Sequence, residues 1–188
     1  MQGLTAGIVL GYHGCDEAVA EALLAGSPFE LSDNDYDWLG CGAYFWEADP
    51  IRGRQWADVQ KLRGKLEKPA VIGAIINLGL CLDLTQQKSL DVIRTAYGGL
   101  KRLVEKNGYE LPANESEYKR QLDNMVFDYL YETMPEPKFQ TVRGPFFEGT
   151  PLYPNGGIAS QTHIQIAVRD LSCIKGVFRV PGDQLSLD

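Results

Sequence analysis

The chain has 188 residues, 44% of them apolar and 23% charged, and carries a net charge of −7. That length holds one domain, able to bury a core without metal or disulfide support. The acidic balance argues against broad nucleic-acid binding, which leaves an electropositive footprint, and no apolar run reaches membrane-spanning length.

Cys15, Cys41, Cys81 and Cys173 lie far apart and form no C-x-x-C pair. A zinc site and a disulfide framework are therefore not expected, and a reducing compartment is. The N-terminus lacks a charged segment followed by a long apolar stretch, so no signal peptide is read and the expected location is the cytoplasm.

Ala6 to Tyr12, "AGIVLGY", reads as a buried strand. Asp16 is placed to cap a short helix reaching about Ala25, and Gly26 ends it. Residues 27 to 43 read as loop, and Ala43 to Trp46 as a turn of helix or a strand. Asp49-Pro50 pairs a capping carboxylate with proline at the first helical position, opening a helix to about Gly64. "PAVIGAIINLGLCLDL" is the strongest strand signal, with β-branched residues and almost no charge. Leu90, Ile93, Tyr97, Leu100 and Val104 share one helical face, and Asn107-Gly108 stops that helix. Tyr118, Leu122, Met125, Val126, Tyr129 and Leu130 do the same for a second, ending near Pro135. Phe139 to Phe147 reads as extended, "EGTPLYPNGGIAS" as loop, and "THIQIAVRD" and "CIKGVFRV" as strands. The expected fold class is α+β, a single domain over residues 1–188, with strands at both ends and helices between.

Two charge features stand out. Arg52, Arg54, Lys61, Arg63, Lys65 and Lys68 fall in one helix and its exit, whereas residues 105 to 136 are acidic. Two solvated helix faces account for this; so does a phosphate-facing patch.

The chemistry concentrates in residues 33 to 57, "DNDYDWLGCGAYFWEADPIRGRQWA", which hold Tyr36, Trp38, Tyr44, Phe45, Trp46 and Trp56, with Gly40 and Gly42 around Cys41. Glycine lets backbone approach a ligand closely, and aromatic faces stack on flat rings. A core-filling loop and a pocket for a flat ligand both fit this composition.

"YHG" followed by "GCGAYF" resembles the ADP-ribosyltransferase superfamily, in its histidine–tyrosine branch of diphtheria-type toxins and poly(ADP-ribose) polymerases. His13-Gly14, Tyr44 and Trp56 match that branch's first histidine, its tyrosine and its second aromatic, and "QIAVRD" resembles the polymerases' E-Y-I-V-Y-D strand. The longer wording "YDWLGCGAYFWEADP…THIQIAVRD…CIKGVF" is similar to bacterial proteins of this fold, some thought to be toxins or phage-defence effectors. The resemblance covers residues 8 to 178. It implies a split antiparallel β-sheet, NAD as substrate without a metal, and ADP-ribose transfer to a macromolecular acceptor, protein or nucleic acid. A toxin of this kind also implies an antitoxin protein as partner.

The resemblance further implies residue roles. His13 bonds the adenosine ribose, and the Gly14 backbone pairs with the nicotinamide carboxamide. Tyr44, beside Phe45, and Trp56 hold the pyridinium ring. Gln165 stands where the family has glutamate, and so keeps a hydrogen bond to the nicotinamide ribose but loses the charge. The bond to nicotinamide breaks through an oxocarbenium-like transition state, as in glycoside hydrolysis, which negative charge stabilises. Glu148, in "FFEGTPLYP", is the candidate to supply that charge or to activate an acceptor; Glu47 is a weaker one, also placed to pair with Arg52 or Arg54. Gly53 stands where the polymerases carry a serine for the carboxamide and has no side chain to offer. A degenerate NAD- or ADP-ribose-binding protein and an NAD glycohydrolase are the alternatives. Cys15 beside His13 has the look of a nucleophile–base pair, and His163 shares a strand face with Gln165 if the strand has begun there. No P-loop, G-x-G-x-x-G fingerprint or H-E-x-x-H motif is present.

Overall fold

A computed structural model describes residues 7–32, 34, 37–115 and 120–186. Tyr36 and Tyr118 lie outside the described residues. The chain is mixed α+β, with a seven-stranded sheet and four α-helices among the described residues. In chain order these are β1 (Ile8–Asp16), α1 (Glu17–Leu24), β2 (Ala43–Glu47), α2 (Pro50–Leu62), β3 (Pro69–Asn77), β4 (Cys81–Asp83), α3 (Gln87–Lys106), α4 (Gln121–Thr133), β5 (Thr141–Phe146), β6 (His163–Val168) and β7 (Ile174–Arg179). The sheet order is β4-β5-β6-β2-β1-β3-β7. Every pairing is antiparallel except β4 with β5, which is parallel.

Local chemistry sets most boundaries. The Asp16 carboxylate accepts from the Ala18 amide at the start of α1, and Gly26 follows its end at φ +102°, a conformation glycine adopts without strain. Asp49 accepts from the Arg52 amide, with Pro50 in the first turn of α2.

Two strand expectations are corrected. β1 does not stop at Tyr12 but runs on to Asp16, because β3 pairs with it along its whole length, from Ile8↔Asn77 to Asp16↔Pro69. His13 is therefore inside a strand. The run "PAVIGAIINLGLCLDL" is two strands. Gly79, at φ +57°, turns the chain after Asn77, and β4 departs to the far edge of the sheet.

Side-chain alternation gives the sheet two different faces. On one, Phe45, Ile72, Ile76, Ile166 and Val168 form a core under α1. On the other, Leu39, Leu82, Phe127, Val142 and Ala167 pack beneath α4, and α2 lies over β1 and β3. Arg143 bridges strands on the first face, donating to Glu47 at 2.5 and 2.9 Å and approaching Asp83 at 3.3 Å. Glu47 thus pairs with Arg143 rather than with Arg52 or Arg54, because its side chain turns away from α2.

Candidate functional site

The centre of the sheet is discontinuous. β1 and β2 pair only at Gly11↔Glu47 and Tyr12↔Trp46. Backbone polar groups alternate sides along a strand. Since the Leu10 carbonyl accepts from Ala48 beyond the end of β2, those of Leu10, Tyr12 and Gly14 all face β2. A continued ladder would bring Gly14 N–H to the Tyr44 carbonyl. That carbonyl instead accepts from His13 Nδ1 at 2.8 Å. The imidazole takes the place of a ladder bond, and the Gly14 N–H and C=O are left facing the parting between the strands.

His13 is fixed there by packing as well. Its ring meets Phe29 edge-on at 5.5 Å and Phe45 at 5.7 Å. Burial lowers its pKa, against the opposing pull of the Tyr44 carbonyl bond. Phe45, matched to the ligand-holding stretch of the sequence, has no exposed surface and packs between His13 and Phe29. It shapes the histidine's pocket from within the core rather than meeting a ligand.

Gly14 and Trp56 are brought together. A Cβ on Gly14 would lie 2.4 Å from the Gly53 carbonyl oxygen and 3.1 Å from Trp56 Cε3, so helix and strand touch backbone to backbone. Only glycine at position 14 allows that approach. Trp56, 38% exposed, faces Trp46 at 5.8 Å and 50°. Tyr44, expected as the second plane of the sandwich, is engaged elsewhere. Its hydroxyl donates to the Gly40 carbonyl and accepts from the Leu39 amide, and its ring joins the Leu39–Phe127 cluster. Burial, with Asp37 nearby, raises its phenol pKa well above the ordinary value. Tyr44 serves the site through its backbone, and Trp46, two residues on, is the tryptophan that faces Trp56. Trp46 was missed although strand alternation puts it on the same face as Tyr44.

Gln165 pairs with Trp46 across β2–β6 and with Gly144 across β5–β6, on the α2 side of the sheet. Its amide finds no hydrogen-bond partner among the described residues. His163 lies two residues before it, on the same face and at the start of β6. His13 faces the α1 side, so it and Gln165 are on opposite faces of the sheet, with the parting of β1 and β2 between them.

Glu148 is almost wholly buried, and its Oε2 accepts from Arg52 Nη2 at 2.8 Å. Arg52 also donates Nη1 to Gln55 and its amide to Asp49. A carboxylate engaged in this way holds α2 against the loop after β5, which gives Glu148 a structural task the sequence did not reveal. Around this pair, three buried nitrogens find no hydrogen-bond partner among the described residues: Trp46 Nε1, Arg52 Nε and His163 Nε2. Leaving such a group unpaired costs about 1–3 kcal/mol.

Cys15 is buried, and burial pushes its thiol up to about 11, with Asp16 adding to the effect; it is no nucleophile at neutral pH. No group of three metal-ligating side chains occurs among the described residues, and no helix there is long and apolar enough to cross a membrane. Two surface concavities, of about 620 and 350 Å3, lie between α3 and α4 and beside Arg120; neither is lined by His13, Gly14, Trp56 or Gln165. Searched against family models, curated proteins and solved structures, the chain finds no match.

Proposed function

We propose that the chain binds NAD across the parting of β1 and β2 and transfers ADP-ribose from it, as a mono-ADP-ribosyltransferase of the ADP-ribosyltransferase-like α+β fold. The carrying observation is the interrupted ladder. His13 occupies the Tyr44 carbonyl and leaves the Gly14 N–H and C=O without a partner among the described residues. A carboxamide offers the complementary acceptor and donor, and it seats in that gap as an added rung. Trp56, against Gly14, then covers the nicotinamide ring. Occupation requires the exposed Trp56 ring to swing from Trp46. The adenosine end passes toward His13 on the α1 side, and the nicotinamide ribose lies toward Gln165 on the α2 side.

A protein acceptor is favoured over a nucleic acid. Half of the basic run of α2 and its exit is paired with carboxylates, through Arg52–Glu148, Arg54–Asp58 and Lys68–Glu17. The segment leading away from the site instead carries Phe147, Leu152, Tyr153 and Ile158, each more than half exposed, which suits a protein partner. Gln165 favours a second reading, a protein that binds NAD without turning it over.

Incubation with NAD labelled in the adenosine half, in cell extract, separates these. Protease-sensitive label in macromolecules is the expected result. Nuclease-sensitive label would transfer the assignment to a nucleic acid, free ADP-ribose alone would make the chain a glycohydrolase, and binding without turnover would leave the second reading standing.

A further inference from the structure

The three unpartnered nitrogens belong to one neighbourhood. Trp46 pairs with Gln165, and continuing that register sets His163 beside Ala48, next to the Asp49 cap from which α2 and Arg52 rise. Arg52 and Asp49 both act electrostatically on the His163 ring. The guanidinium is fixed through both terminal nitrogens, to Glu148 and Gln55, and Nε is its one nitrogen without a partner among the described residues. The ring of His163 is fixed as well: its Nδ1 bonds the Gln161 carbonyl at 2.7 Å. A carbonyl only accepts, so the neutral ring carries its hydrogen on Nδ1, and Nε2 is a bare lone pair. Two donors and one acceptor remain. The group that satisfies all three is an oxygen bearing a hydrogen, which accepts twice and donates once. A carboxylate acceptor has no proton to give, and a guanidinium nitrogen cannot accept.

We propose that Trp46 Nε1, Arg52 Nε and His163 Nε2 hold the attacking oxygen of the transfer, an O–H group of a seryl or threonyl side chain or of water, and that His163 takes its proton. This rests on the NAD reading above and names the nucleophile's chemistry and its base. The oxygen forms a bond to C1′ of the ribose held toward Gln165. The C1′–nitrogen bond breaks, its electron pair neutralises the pyridinium, and nicotinamide leaves uncharged. The proton passes to His163 Nε2 and then to solvent. Glu148 is the positioning residue that keeps Arg52 Nε aimed.

Burial, opposed by the Gln161 carbonyl bond and assisted by Arg52, lowers the His163 pKa below 6.5; Asp49 pulls it back. The neutral base is therefore already available at pH 7, and turnover falls only as the pH drops toward the lowered value.

His163→Ala is expected to reduce turnover about 10²- to 10⁴-fold with unchanged NAD affinity, and added imidazole to restore part of it. The wild-type acid limb should vanish in the variant, and the transferred label should resist neutral hydroxylamine, which releases carboxylate esters. Free ADP-ribose as the product identifies water as the nucleophile; labelled protein identifies a side-chain alcohol. Unchanged turnover, a loss of NAD affinity without imidazole rescue, or hydroxylamine-labile label would overturn the assignment while leaving the NAD reading intact. Absence of any turnover by the wild-type chain overturns both. Should His163→Ala not fold, 15N shifts of the native ring decide: Nε2 unprotonated at pH 7 is expected, and Nε2 protonated contradicts the role.

Discussion

Replacing Gln165 by glutamate is expected to raise the rate of NAD cleavage by about a hundredfold, the value of one well-placed electrostatic contact in a site shielded from water. Gln165 is positioned for it. It stands on β6 opposite Trp46, faces the α2 side, and its side-chain amide finds no partner among the described residues, so the substitution breaks no side-chain hydrogen bond among them. The new carboxylate would face positive charge developing on the ribose. It would also raise the His163 pKa, since an opposite charge favours the imidazolium, and the acid limb of turnover should move up in pH. Nicotinamide release in single-turnover assays measures both effects. A rate unchanged or lowered in Gln165→Glu, with NAD still bound, would mean that C1′ does not lie at this residue.

The second large effect is on stability. Glu148→Ala leaves Arg52 buried beside an absent partner, a change that costs about 3–5 kcal/mol, equivalent to a fall in Tm of about 6–20 °C for a chain this long. The pair is well enclosed, with 12% and 4% of its side-chain surfaces exposed. Replacing both partners by methionine should recover most of the loss, because the desolvation cost of both charges then disappears. Thermal unfolding of the single and double variants checks this. A Glu148→Ala chain as stable as the wild type would return Glu148 to a purely chemical role.

Much of the fold was legible in the sequence because its punctuation is local. Asp16, Asp49-Pro50, Gly26 and Asn107-Gly108 fall where helices begin and end. Long-range pairing was not legible. Nothing within "YHGCD" reveals that β3 holds the strand as far as Asp16, and an unbroken apolar run conceals the turn at Gly79. The site shows the same division. His13, Gly14 and Trp56 were singled out by local motifs, and the structure sets Gly14 against Trp56; His163 was placed on the face of Gln165 by strand alternation alone. The role of Tyr44 was misjudged because the motif names a residue, whereas here its ring is engaged by Leu39 and Gly40 and only its carbonyl reaches His13. Arg52 and Glu148, 96 positions apart, meet only through tertiary packing that no sequence spacing encodes.

The interrupted ladder is tested most directly by following the Gly14 amide and the Trp56 indole in 1H–15N spectra as NAD is added. Both resonances should shift together and saturate at one dissociation constant. Resonances of Gly14 and Trp56 that stay fixed up to millimolar NAD would contradict a carboxamide seated between β1 and β2.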